Sequence, residues 1–245
     1  GFRISQIADM SRFELEELIA NEGKRIGTGQ TFSTSRESSY LDCALQAVVD
    51  LDQTGLEQAL SAAAVGLSRI ALLTEVVAPL LEKIGNFWAE GRLRIVHERM
   101  ASAVIQGQLW NLVRKSMPSE GAPSMVVASP LGQWCELGAL MAAVVGVERG
   151  WNVCYLGPNL PAEEIAAATI GTGARAVALS VAFRPDETWL IGELSTLRRN
   201  LPSDVDLYVG GRGVIGYQNR FHARKIRLVN DLKAFAQFIS DRNDR

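Results

Sequence analysis

SMVVASPLGQWCELGALMAAVVGVERGWNVCYLGPNL, residues 124–160, changes its period three times in fewer than forty residues. SMVVAS is a short β-branched and apolar run that reads as a strand. LGQWCELG (131–138) is a turn, LGALMAAVVGVER (137–149) a small-residue helix, and WNVCYLG (151–157) a second strand. Strand, turn, helix and strand in that order make a βαβ unit, with two parallel strands joined by a crossover helix. The alternation then continues through PAEEIAAATIGTG, AVALSVA, ETWLIGELSTLRRN, DLYVGG, KIRLV and DLKAFAQFISDR. This predicts a mostly parallel sheet with helices on both faces and right-handed connections, a Rossmann-like (flavodoxin-like) domain over 118–245.

Upstream of MPSEGAP the period is helical. YLDCALQAVVDLD and TGLEQALSAAAVGL carry apolar residues at helical spacing, separated by a turn. SRIALLTEVVAPLLEKIGNFWAEG places Leu72, Leu73, Val76, Leu80, Ile84, Phe87 and Trp88 along one broad face. Pro79 inside that run should kink the helix or interrupt its ladder. A last helix follows EGRLR, roughly Val96–Lys115. Four helices with short connections predict a bundle over 40–117, so the expected fold class is α + α/β, a four-helix bundle followed by the parallel-sheet domain. Residues 1–22 read as a short helix and an acidic amphipathic helix with Ser11 and Glu14 at capping-box spacing. Residues 23–39, rich in Gly, Ser and Thr, have the chemistry of a linker.

Composition narrows the classes. The chain has 245 residues, 47 % hydrophobic and 21 % charged, with a formal net charge of −2. That balance gives no general reason for nucleic-acid binding by the chain itself. Cys43, Cys135 and Cys154 are too widely spaced for a zinc or disulfide pattern, and a reducing, cytoplasmic compartment is expected. No apolar run reaches the roughly 18 residues of a membrane span. Neither GxxxxGK[ST] nor a GxGxxG between first strand and helix is present, and no GxSxG elbow accompanies the two histidines, His97 and His222. Enzymatic activity is not expected.

In an open α/β sheet, ligands sit outside the carboxyl ends of the strands. Those ends lead into LGQWCELG, LGPNLPAEE, SVAFRPDE and GGRGVIG. The gaps between them are informative: 41 residues (139–179) separate Gly138 from Ser180, and 27 (183–209) separate Ala182 from Gly210-Gly211. At these gaps the chain resembles the cobalamin-binding domains, whose signature is Asp-x-His-x-x-Gly, Ser-x-Leu and Gly-Gly. GWNVCYLGPNLPAEEI is also characteristic of them. The bundle resembles that of CarH/LitR-type regulators, a MerR-family branch with Trp, nine residues, then Glu-His. Here Trp88 is followed by nine residues (89–97) and then Glu98-Arg99. GFRISQIADMSRFELEEL resembles the end of a MerR-type DNA-binding domain. The expectation is a fragment of a longer regulator, or a variant lacking its reader head, that meets DNA only through a preceding helix-turn-helix.

The resemblance implies a tetrapyrrole held between bundle and sheet, with self-assembly as a dimer or tetramer controlling DNA occupancy. It assigns cofactor-binding positions to Trp88, Glu98, Arg99, Gln133, Trp134, Cys135, Gly138, Ser180, Ala182, Gly210 and Gly211. Three signature positions depart from the pattern: Gln133 stands at the Asp position, Cys135 at the His, and Ala182 at the Leu. Arg99 stands where the bundle histidine would be, and arginine is no metal ligand. The family's histidine ligates cobalt from below, oriented by the aspartate. Cys135 either ligates a soft metal as thiolate or packs as a small hydrophobe beside Trp134, and no cation near in sequence favours the thiolate. His97, about 100° from Glu98 around the helix, is the other metal candidate, with a bundle-edge histidine the simpler reading.

His222 reads as a surface histidine, and Arg212, Arg220, Arg224, Lys225 and Arg227 as a solvated basic group. The implied cofactors are adenosylcobalamin or methylcobalamin without a histidine ligand, haem or a bilin, or none at all. The implied function is the effector-sensing and oligomerisation region of a regulator, with light response an open element. A ligand-free protein–protein module is the alternative, and a corrinoid protein of a methyltransferase system the third.

Overall fold

A computed structural model describes residues 34–115, 118–183, 186–217 and 226–243. The helices expected over 1–22 lie outside the described residues, as do most of the 23–39 linker, His222, Arg220, Arg224 and Lys225. Residues 37–245 form one unit.

The helical part opens with α1 (Thr34–Val49), which begins inside the stretch read as linker, six residues before Tyr40. Its apolar stripe starts only near Tyr40, so the polar first turns carry no hydrophobic period to betray them. Helix α2 (Gln53–Gly66) is capped by Asp52, whose carboxylate accepts from the Gly55 amide at 2.9 Å. The long apolar run becomes a short turn, Arg69–Ala71, a π-helical segment, Leu72–Val77, and α3 (Ala78–Ala89). Pro79 explains the π segment. It has no N–H for the ladder, and the Ala78 amide just before it donates to Leu73, five residues back. Leu72, Leu73, Val76, Leu80 and Ile84 are buried as the period predicts. Trp88 is not: it stands in the last turn of α3, 54 % exposed, at the end of the helix. Helix α4 (Ile95–Arg114) completes the four helices.

The sheet has five parallel strands in the order β2-β1-β3-β4-β5: β1 (Ser124–Pro130), β2 (Asn152–Leu160), β3 (Ala176–Ser180), β4 (Asp206–Gly210) and β5 (Ile226–Val229). The helices are α5 (Leu137–Glu148), α6 (Ala162–Gly171), α7 (Glu187–Asn200) and α8 (Leu232–Asn243). Strand β2 runs on through residues read as a loop, and its register against β1 slips between Val127 and Ala128 and again before Pro130.

Side chains alternate across the sheet as strand geometry requires. Met125, Val127, Ala176, Ala178 and Tyr208 join one core with α5, α8 and the bundle helices. Val126, Ala128, Val177, Leu179, Leu207 and Val209 join a second core that includes residues of α6 and α7. The first core is continuous from Ala44 in α1 to Ile239 in α8, so bundle and sheet share buried surface. Strand order reverses between β1 and β3, which is where such a sheet opens a ligand crevice.

Candidate functional site

The crevice is walled by the loop 131–136 after β1 and the residues from 181 after β3. Gln133 ties them together. It is 3 % exposed, and its Oε1 accepts from the amides of Ala182 at 2.9 Å and Phe183 at 3.0 Å. Its Nε2 donates to the Phe183 carbonyl at 3.2 Å. A carboxylate could accept the two amides but could not donate to the carbonyl, so this arrangement suits an amide. Gln133 thus spends its carbonyl oxygen and one of its two N–H donors on backbone.

The loop is fixed on its other side by Asn159, which takes a left-handed φ of 61°. Its Oδ1 accepts from the Gly132 amide at 2.8 Å, and its own amide donates to the Gln133 carbonyl at 3.1 Å. Cys135 faces inward and packs against the core shared with the bundle, while Ser129 Oγ donates to its carbonyl at 3.2 Å. Trp134 does not cover it; its side chain turns out, with the residue 72 % exposed. The packing reading of Cys135 therefore fits the structure, with core residues in place of the tryptophan.

Gly138 abuts Ser180, so that a Cβ there would collide with the serine hydroxyl. Gly211 has φ 104°, and a Cβ on it would strike the Val181 carbonyl. The residues at signature spacing thus meet one another across the carboxyl edge: Gly138 with Ser180, Gln133 with Ala182, Gly211 with Val181. Beside Gly211 lies a cleft of about 200 Å³ lined by Val214, Ile215, Leu228, Val229 and Asn230.

On the bundle side the expected residues are less concentrated. Glu98 Oε1 accepts from Ser102 Oγ at 2.9 Å, and its other oxygen pairs with Arg99 Nε at 3.5 Å. The Arg99 side chain is largely exposed. His97 caps its own helix: the Arg94 amide donates to His97 Nδ1 at 3.1 Å. Arg212, read as a solvated surface cation, is exposed and its side chain extends to the bundle. Its guanidinium lies 3.7 Å from where a Gly85 Cβ would be, one turn before Trp88. Arg227 stacks over the rings of Tyr208 and Phe238.

Two features were not legible in advance. Phe183 is 65 % exposed, and with Leu131, Trp134 and Ile215 it gives three carboxyl-edge loops an exposed apolar side chain each or more. The signal was present in SVAFRPDE, since an apolar ring just past a strand end has no core to enter. The second is Glu136, which accepts from Tyr155 Oη at 2.7 Å and from Gln106 Nε2 of α4 in a very short contact. Trp110 of α4 packs edge-on against the Tyr155 ring, with centroids 5.0 Å apart. Burial and the adjacent Glu136 carboxylate raise the Tyr155 pKa well above the ordinary tyrosine value. No spacing rule joins a residue of β2 to one in mid-α4.

The donor set decides what can be held. Among the described residues no group of three His, Cys, Asp or Glu side chains could hold a metal ion. The exposed rings of Trp134 and Phe183 at this edge are faces on which a flat apolar ring system could stack. The residues fit a tetrapyrrole held by its faces and periphery, and do not fit one ligated from below by histidine. Among the described residues no helix is long and apolar enough to cross a membrane.

Residues 41–109 match the family described as B12 binding domain. The chain is 28 % identical over 219 residues to the HTH-type transcriptional repressor CarH of Myxococcus xanthus, covering 89 % of this chain and 72 % of that protein. The chain is thus similar to a CarH-type repressor and carries a match to a B12 binding domain. It is also 32 % identical over 137 residues to the HTH-type transcriptional repressor CarA of Myxococcus xanthus, spanning 55 % of this chain and only 45 % of that repressor. Its fold is that of a monomethylamine corrinoid protein of Methanosarcina barkeri, with a TM-score of 0.66 at 13 % identity over 84 % of this chain and 99 % of that one.

Proposed function

We propose that the chain is the effector-sensing part of a MerR-type regulator, taking cobalamin or another tetrapyrrole at the carboxyl edge of its sheet without a protein histidine on the metal. The observation that carries this is the exposed set Leu131, Trp134, Phe183 and Ile215 around the β1/β3 switch point. Gln133, Asn159 and the edge glycines fix the loops that present these side chains, so the surface is formed before a ligand arrives. Trp88 and Arg212, joined through Gly85 on α3, would meet such a ligand from the bundle side. A bound tetrapyrrole supplies visible absorption and, in an alkylcobalamin, a light-labile cobalt–carbon bond. Occupancy would then set the self-association of the chain, and through a DNA-binding segment the occupancy of its operator. The role is regulatory and needs no catalysis.

A second reading has its own support. Gly138 packs against Ser180 and Gly211 against Val181, so these residues have a role in the fold that needs no ligand. The same apolar edge would then receive a protein partner.

Absorption spectra separate the readings. The purified chain is incubated in the dark with adenosylcobalamin, methylcobalamin, haem and biliverdin, desalted, and measured before and after illumination. Retention of one chromophore, weakened about tenfold or more by Trp134→Ala or Phe183→Ala, is expected for stacked contacts. If none is retained, the tetrapyrrole reading fails and the protein–protein reading stands. A change in elution volume on illumination is the readout for light response.

A further inference from the structure

Loop 131–136 ends on Glu136, and this residue is bonded to both halves of the molecule at once. Its carboxylate takes the Tyr155 hydroxyl of β2 and the Gln106 amide of α4. Gln106 and Trp110 lie four residues apart on the same face of α4, and Trp110 closes over the Tyr155 ring. All four side chains are partly buried at the seam where α4 packs on α5. Around them α4 and α5 meet largely through apolar packing, which is non-directional and tolerates sliding, and the ion pairs Arg69–Glu148 and Lys233–Glu75 that also join bundle and sheet lie away from the ligand loop. A charged acceptor with two named donors is directional, and each bond to it is stronger than a neutral one.

The bridge stands immediately after Gln133, Trp134 and Cys135. Gln133 holds the loop to β3, Trp134 faces outward, and Glu136 faces the bundle. A ligand that presses on Trp134 therefore moves a backbone only two residues from the Glu136 carboxylate. Leaving Gln106 would cost that carboxylate a partner in a partly buried place, so the bridge favours discrete made and unmade states over a continuum.

We propose that Glu136 is the positioning residue through which loop 131–136 sets the docking of α4, so that the Gln106–Glu136–Tyr155 bridge couples the ligand surface to the bundle. This rests on reading that loop as the ligand loop. The coupling between loop and bundle is testable without any ligand.

Hydrogen exchange followed by mass spectrometry on the whole chain tests it. Gln106→Glu sets two carboxylates against each other and should raise exchange in α4 about tenfold, the loss of about one charge-assisted bond. Exchange in β3 and β4 should stay as in the parent, which excludes general loosening. The double change Gln106→Glu with Glu136→Gln reverses the pair. The amide at 136 then donates to the carboxylate at 106 while its oxygen still accepts from Tyr155, and α4 should regain parental exchange. Unchanged exchange in the single variant, or no recovery in the double one, overturns the proposal. In a parallel arm, adenosylcobalamin, haem and biliverdin are titrated against the same three proteins. Affinity that falls in the single variant and recovers in the double supports the coupling, and equal affinity in all three overturns its reach to the ligand surface. Should none of the three bind the parent, the tetrapyrrole reading fails, while the exchange result still decides whether Glu136 positions α4.

Discussion

Gly138, at the start of α5, leaves the space that the Ser180 hydroxyl at the end of β3 occupies. The two are separated by 41 residues of sequence, and the contact gives that spacing a physical cause: α5 seats on the sheet with the Ser180 hydroxyl in the space a Cβ at 138 would need. Gly138→Ala should destabilise the chain by about 1–3 kcal/mol through overpacking. Adding Ser180→Ala should recover most of the loss, because it removes the colliding hydroxyl. Urea midpoints of the two variants check this, and a double variant as weak as the single one would mean the strain lies elsewhere.

The same contact shows how much the sequence could say. Period alone delivered the architecture, since alternation between period two and period 3.6 leaves few topologies for a parallel sheet. The carboxyl edge was legible for the same reason, and the fixed gaps located Gly138, Ser180 and Gly210-Gly211 on it. What those residues do was less legible. Gly138 and Gly211 answer to Ser180 and Val181, partners that no local rule names. Gln133 read as a weakened ligand-orienting residue, yet its three bonds to Ala182 and Phe183 make it a clamp. Period places Trp88 on the apolar face of its helix, yet it is exposed, because helical period cannot see where a helix ends and its neighbours stop covering it.

Gln133→Leu should expose the consequence of that clamp. It strips partners from two amides and a carbonyl in a partly buried loop, and leaving buried polar groups unmet costs about 1–3 kcal/mol each. Solvent will satisfy part of the loss, so a net destabilisation of about 2–3 kcal/mol is expected. Hydrogen exchange at Ala182 and Phe183 should rise well before that in β4. Gln133→Glu should be intermediate, keeping the two amides while repelling the Phe183 carbonyl.

Tyr155 gives a pH dependence of defined sign. Its folded pKa is raised above the unfolded value of about 10, by burial first and then by the Glu136 carboxylate. The folded state therefore favours the neutral phenol. The stabilisation is fully present below about pH 10 and is lost progressively as pH rises above it, where the unfolded chain ionises first. Tyr155→Phe should remove that alkaline slope, and at neutral pH should lose about 1.5–3 kcal/mol, the range for a bond to a charged acceptor. Denaturation midpoints of parent and variant between pH 7 and 11 should converge as pH rises; parallel curves would mean Tyr155 does not contribute.

Cys135 stands where the resembling domains place a metal-ligating histidine, and its surroundings argue against that role here. It packs against the shared core, and its carbonyl is held by Ser129. Cys135→Ala should therefore cost about 1 kcal/mol of packing. It should leave the absorption spectrum of any retained tetrapyrrole unshifted. Cys135→His is the complementary change. The larger ring must displace core contacts or turn outward beside Trp134, and only the outward rotamer could reach a metal at the carboxyl edge. With cobalamin retained, a shift to a histidine-ligated spectrum in this variant, absent from the parent, would show that the pocket is intact and only its ligand has changed. A spectrum altered by Cys135→Ala alone would instead make the thiolate a ligand and overturn the packing assignment.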